Sequence, residues 1–157
     1  MTADPKLGEV IAASLQLVIT LHEGSKARRA AAKHQCYDRV YKIFDWHSDV
    51  SSKWRWRLER LAARYQLPIA VKLNTATVDP EAGMLSHLED SFNEIRPIHQ
   101  SFVNGYEVAQ ELGIKPAKRR FGKLIDKCEY VIEEMEAYAR QVADSEKPGG
   151  KWLMEKM

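Results

Sequence analysis

The chain is short of several residue types and patterns, and each shortage excludes something. Its two cysteines, Cys36 and Cys128, form no Cys-x-x-Cys pair, so neither a disulfide-stapled domain nor a structural zinc knuckle fits. Each lies in a helical pattern and is expected to be a small buried or half-buried thiol in a reducing compartment. Eight glycines and six prolines in 157 residues leave too few turn formers for a many-stranded β fold. No apolar run is long enough to span a membrane. The opening MTADPKLGEV lacks the basic and then apolar run of a signal peptide, so a cytoplasmic location is expected. The net charge of +2 does not by itself point to a nucleic-acid partner. Neither Glu-x-x-His nor His-x-x-x-His occurs, which removes two ligand patterns of helical-bundle metalloproteins.

What is present is apolar periodicity. Apolar residues make up 45% of the chain and include four tryptophans, enough for one domain with a sizeable core. Four segments show helical spacing. The first opens at Asp4-Pro5, a capping acceptor before a proline, and carries Leu7, Val10, Ile11, Val18 and Leu21. The second runs from Tyr37 through Val40, Phe44, His47, Ser51, Trp54, Leu58 and Leu61 to Tyr65, and Pro68 stops it. The third opens at Asp79-Pro80, continues past Pro97 with an expected kink, and closes at Gly113. The fourth starts near Pro116, passes Phe121, Leu124, Cys128, Val131, Met135 and Tyr138, and ends before Lys147-Pro148-Gly149-Gly150.

These segments predict an all-α four-helix bundle over 1–146 with a C-terminal tail over 147–157. The Gly113–Lys115 turn makes the last two helices antiparallel. About a dozen residues between Pro68 and Val78 suffice for a long crossover between helices two and three, the ferritin-like topology. Helix-length statistics place the first turn between Gly24 and Lys33, although that Ala-rich, basic stretch would be content as helix.

The candidate site residues are His22, His34, Asp38 and Asp49, spaced 12, 4 and 11 apart. His34, Asp38 and Asp49 are expected near one side of a single helix, since their offsets are close to whole turns. Imidazole with carboxylate suits iron, zinc or manganese. Trp54 is expected in the core, and Trp56, between Arg55 and Arg57, at an interface with stacked guanidiniums. His47 and His99 occupy seam positions and are expected to be satisfied core histidines rather than ligands.

The fourfold spacing, with MLSHLEDSFNEI, the turn ELGIKPA and KLIDKCEYVIEEMEAYA, resembles the miniferritins, the DNA-binding proteins from starved cells (Dps), over about Leu7 to Arg140. The resemblance implies an iron-binding, peroxide-consuming ferroxidase in a homo-oligomeric shell, a dodecamer of tetrahedral symmetry. It implies a metal site shared between subunits, with His22 and His34 from one and Asp38 and Asp49 from its neighbour. Splitting the site makes iron binding depend on assembly. The sequence also departs from the family. Lys53 stands where a glutamate is usual, and an ammonium repels a divalent cation; it can pair with Asp49 one turn earlier. Glu23 and Ala27-Arg28-Arg29 replace the Trp and Gly-Pro after the first histidine. A second register aligns Leu21-His22 with a nonligand Leu-His and puts Ser25 and Tyr37 at the ligand positions, where the site is gone. A metal-free bundle acting as a structural or interaction module is the alternative function.

Charge gives a further lead. The fourth helix starts basic, with Lys115, Lys118, Arg119, Arg120 and Lys123, and turns acidic, with Glu129, Glu133, Glu134 and Glu136. That order opposes the helix dipole. A basic helix N-terminus can hold phosphate or an acidic neighbour. DNA binding of the starvation type has weak support, because the N-terminal segment has one lysine and the tail mixes both signs.

Overall fold

The computed structural model describes residues 4–69, 78–147 and 151–152. The architecture is a four-helix bundle: α1 (Pro5–His34), α2 (Asp38–Arg64), α3 (Met84–Leu112) and α4 (Lys115–Ser145). A two-residue pair of strands, β1 (Glu146–Lys147) and β2 (Lys151–Trp152), follows antiparallel. Most of the tail lies outside the described residues.

Side-chain pairs give the helix directions. His22 meets Ser48 and Arg29 meets Asp45, so α1 and α2 are antiparallel. Ser14 meets Ser101 and Arg28 meets Glu94, so α1 and α3 are antiparallel as well. Phe102 meets Phe121 while Cys128 reaches the Ile95 carbonyl, so α3 and α4 are antiparallel. Helices α2 and α3 are therefore parallel, and the chain between them must travel the length of the bundle. It leaves beside Gly8, where Leu67 packs, and arrives at the opposite end, where the Gln35 side chain donates to the Pro80 and Ala82 carbonyls. This is the expected crossover; its middle, 70–77, lies outside the described residues.

Helices α1, α2 and α3 end in one backbone device. A residue one or two past the last helical one takes a left-handed conformation, at Cys36 (φ 62°), Gln66 (φ 52°) and Gly113 (φ 69°). The next amide then reaches back: Tyr37 to Ala32, Leu67 to Ala62 and Ile114 to Ala109. These are Schellman closures, which satisfy otherwise orphaned carbonyls. The first one corrects the expected turn. Helix α1 runs straight through Gly24–Lys33, because Ala-rich sequence keeps its helical propensity, and the chain reverses at Gln35–Tyr37. The start of α3 is corrected too. Asp79 caps a short turn by accepting from the Glu81 amide, and the helix begins at Met84 with Gly83 as its N-cap. Helix α3 is continuous through Pro97.

The core divides along the bundle axis. Toward the start of α1 it is apolar: Leu7, Ile11, Trp54, Leu58, Phe102 and Phe121 are buried. Trp54 meets Phe102 edge-on at 5.7 Å, as expected for a core tryptophan. Toward the end of α1 the interior is polar.

Candidate functional site

The polar interior is built from three helices. Arg28 of α1 is 1% exposed and forms a bidentate pair with Glu94 of α3, at 2.8 and 2.9 Å. Gly24, one turn before Arg28, makes room for it: a Cβ there would sit 2.8 Å from both the Arg28 guanidinium and the Glu94 carboxylate. Phe44 of α2 lies under the guanidinium, 5.7 Å from ring centroid to Arg28 Cζ. The same ring meets His47 and His87 edge-on, at 6.2 and 6.5 Å. Ser25 and Ser91 are fully buried beside this group. Among the described residues, Ser25 Oγ, Ser91 Oγ, Arg28 Nε and both ring nitrogens of His47 have no hydrogen-bond partner.

Electrostatics follow from this packing. Burial, and then the Arg28 charge, push the His47 imidazole down from 6.5 to about 3. His87 is pushed down by the same causes in the same order, against smaller upward pulls from Asp90, Asp79 and the Ala82 backbone. Both imidazoles are neutral at physiological pH, and the Arg28–Glu94 pair holds the charge of this interior. His47 is thus a core residue as expected, but an unsatisfied one. His99 is not core: it is 30% exposed and sits 3.4 Å from Glu129.

The four residues singled out by spacing lie elsewhere. His22 is half-buried on α1, and its Nδ1 lies 3.0 Å from the Ser48 carbonyl. A carbonyl only accepts, so Nδ1 carries a hydrogen. His22 and Asp49 line one shallow surface pocket of about 510 Å³. Asp49 is paired with Lys53 at 3.1 Å, the i,i+4 contact foreseen. His34 is 67% exposed at the last residue of α1, 3.4 Å from Glu81. Asp38 is the first residue of α2 and exposed. The turn at Gln35–Tyr37 puts His34 on α1, so His34 does not share a helix with Asp38 and Asp49 as expected, whereas Asp38 and Asp49 stand about three turns apart on one face of α2. His22 and His34 stand 12 residues apart on one continuous helix, about 18 Å of rise, so both cannot reach one ion from the same subunit. The structure therefore joins His22 with Asp49 and leaves His34 and Asp38 at the corner. Of the second register's positions, Ser25 is in the polar interior and Tyr37 is the N-cap of α2. Among the described residues, no group of three or more His, Cys, Asp or Glu side chains is close enough to hold a metal ion.

Sequence reasoning missed the Arg28–Glu94 pair. Its one visible signal was an arginine in phase with buried Leu21, Gly24 and Ser25 rather than with the polar face of α1. The Trp56 ring is 53% exposed, and guanidiniums do lie over it, those of Arg60 and Arg57 at 4.8 and 6.0 Å from its centroid, while Arg55 pairs with Glu59. No described helix is long and apolar enough to cross a membrane.

No family model and no curated protein matches this sequence. Solved structures do match in fold. The ferritin of M. penetrans superposes with a TM-score of 0.80 at 11% identity, covering 90% of this chain and 87% of that one. The bacterioferritin of Rhodobacter capsulatus, described as having a metal-free dinuclear site and heme iron, gives 0.73 at 16% identity, covering 91% and 89%. An iron-soaked PmFTN variant gives 0.76 at 11% identity, covering 96% of each chain. With the parallel α2 and α3 and the crossover between them, this chain has the ferritin-like four-helix bundle fold.

Proposed function

We propose that this chain is an assembling ferritin-like bundle whose interior is closed by an ion pair in place of metal, and that it works as a structural or interaction module. The observation that carries this reading is the Arg28–Glu94 pair. Dinuclear ferritin-like centres draw inward-facing carboxylates from all four helices, with Glu-x-x-His on two of them. Here the inward polar set is one arginine, one glutamate, two neutral histidines and serines. A buried guanidinium already neutralises the one carboxylate and repels a second cation. Exposed Trp56, Leu85 and Tyr130 are apolar surface suited to a partner copy. The resemblance to miniferritins makes a homo-oligomer, and specifically a dodecamer, the expected assembly; sedimentation velocity on the purified protein measures it.

One observation favours iron chemistry as a second reading. His22 donates its Nδ1 hydrogen to a backbone carbonyl, the arrangement that orients a metal-binding imidazole, and Asp49 lines the same pocket. In a two-fold pairing of α2 helices, His34 and Asp38 of the neighbouring subunit would complete a site for Fe(II), which peroxide then oxidises. Arg29 and Lys42 in that pocket, and Lys53 on Asp49, oppose it.

An anaerobic Fe(II) titration followed by peroxide, read by Fe(III) absorbance, separates the two. The first reading expects no stoichiometric binding and no rate above buffer. Fast oxidation at a fixed iron-to-subunit ratio, abolished in His22→Ala and Asp49→Ala but retained in Arg29→Ala, would replace it with the second.

A further inference from the structure

At the end of the bundle where α2 stops and α4 starts, a groove of about 700 Å³ is lined by Trp56, Arg57, Arg60, Arg64 and Arg120, with Pro116 from the first turn of α4. No acidic residue lines it. Arg57, Arg60 and Arg64 are spaced three and four apart and so share one face of α2. Arg120 meets them from α4. Its guanidinium is pushed below its usual range by partial burial and then by the charges of Arg57 and Arg60, which places the three cations within each other's field. Among the described residues none of these four arginines forms an ion pair, whereas Arg28, Arg29 and Arg55 all do.

Uncompensated like charge destabilises a fold, so four arginines brought together from two helices call for a reason. Helix energetics supplies part of one. Arg64, in the last turn of α2, favours that helix's dipole, but Arg120 and the basic residues around it oppose the dipole of α4. Ile114, which precedes α4, has no side-chain acceptor for the first-turn amides. An anion in this groove would answer the converging guanidiniums and the positive end of α4 together.

We propose that the groove is a binding site for a compact multi-phosphate anion, held by Arg57, Arg60, Arg64 and Arg120. Guanidinium forks match phosphate oxygens in pairs. Several phosphates in series suit several arginines at successive turns, whereas a single carboxylate would leave most of them unanswered. Trp56 forms one wall, and Arg60 stacks on it at 4.8 Å. A ligand that engages Arg60 therefore changes the surroundings of that indole. The same phosphate chemistry is found in a free inorganic chain and in a nucleotide, and the indole distinguishes them.

The test is calorimetric titration of the full-length, assembled protein with sodium tripolyphosphate and, separately, with ATP, both without Mg²⁺ at about 150 mM salt. Tryptophan emission is followed in parallel. Saturable binding of either anion is expected, weakened at least about tenfold in Arg60→Ala/Arg120→Ala and changed less than about twofold in Arg29→Ala, whose arginine pairs with Asp45 elsewhere. Circular dichroism confirms that both variants are folded. Equal affinity for the two anions assigns phosphate alone. Tighter ATP binding with quenched emission assigns a nucleotide. No saturable binding of either, or unchanged binding in the folded double variant, overturns the proposal. Binding of a DNA duplex with neither small anion bound overturns it in favour of an extended nucleic-acid surface.

Discussion

The two halves of this bundle solve the same packing problem in opposite ways. Around Phe102 and Phe121 the interior is hydrocarbon, and Gly105 lets the Phe121 ring press directly on the α3 backbone. The polar groups there are matched: Ser14 and Ser101 bond to each other at 2.6 Å. Around Phe44 the interior holds an ion pair, two imidazoles and two serines, with several polar atoms unanswered. Hydrocarbon packing tolerates a change in volume poorly, whereas an ion pair tolerates poorly the loss of one partner. In this second half a cation supplied by the chain itself is buried in the interior.

The largest expected effect comes from unpairing the charged half. Glu94→Leu leaves the Arg28 guanidinium buried without a counter-ion and should cost about 3–5 kcal/mol by urea denaturation. Arg28→Met combined with Glu94→Leu should return stability to within about 1 kcal/mol of the parent, because both desolvated charges are gone. A double variant as weak as the single one would show that the pair is structurally required rather than merely balanced.

In the hydrocarbon half, Gly105→Ala is next. Its methyl would overlap the Phe121 ring, which is itself fully buried and cannot swing away, so a loss of about 2–3 kcal/mol is expected. Phe121→Leu in the same chain should recover part of it. No recovery would place the conflict in the backbone.

The pH dependence sharpens the contrast further. His47 titrates near 6.5 when unfolded and near 3 when folded, so below pH 6.5 the unfolded chain binds the extra proton and stability falls with pH. The slope attributable to this residue is about 1.4 kcal/mol per pH unit at its steepest, between those two values. His87 shifts the same way and adds to the slope. His47→Leu should flatten the acid limb in chemical denaturation from pH 7 to 4, and an unchanged limb would mean that other groups control it.

The smallest effects are at the helix ends. Cys36→Gly and Gln66→Gly should each stabilise by up to about 1 kcal/mol, since both residues hold left-handed backbone that glycine adopts freely. Gly113→Ala should lose about 1 kcal/mol for the converse reason. Thermal midpoints measure all three.

These ends explain what could be read in the chain. Gly113 marks its turn because glycine is the usual left-handed residue, and the α3–α4 turn was placed correctly from it. Cys36 and Gln66 perform the same closure without the usual letter, so the first turn was expected several residues early. That misplacement put His34 on one helix with Asp38, whereas the structure places the turn between them. Arg28 was hidden for a related reason. Arginine is usually a surface residue, and its partner Glu94 is 66 positions away.

The sequence by itself determined that there are four helices and that helices two and three need a long connection, because periodicity and chain length are local properties. Which polar residues meet was decided only in the tertiary structure. Arg28 and Glu94, His22 and Asp49, and the four arginines around Trp56 come from different helices. Their encounters depend on how far each helix runs before it turns and on the level at which it crosses its neighbour. Side chains that are charged in water have no one-dimensional signature of being paired inside a protein; only packing brings a guanidinium and a carboxylate to 2.8 Å and removes the solvent around them.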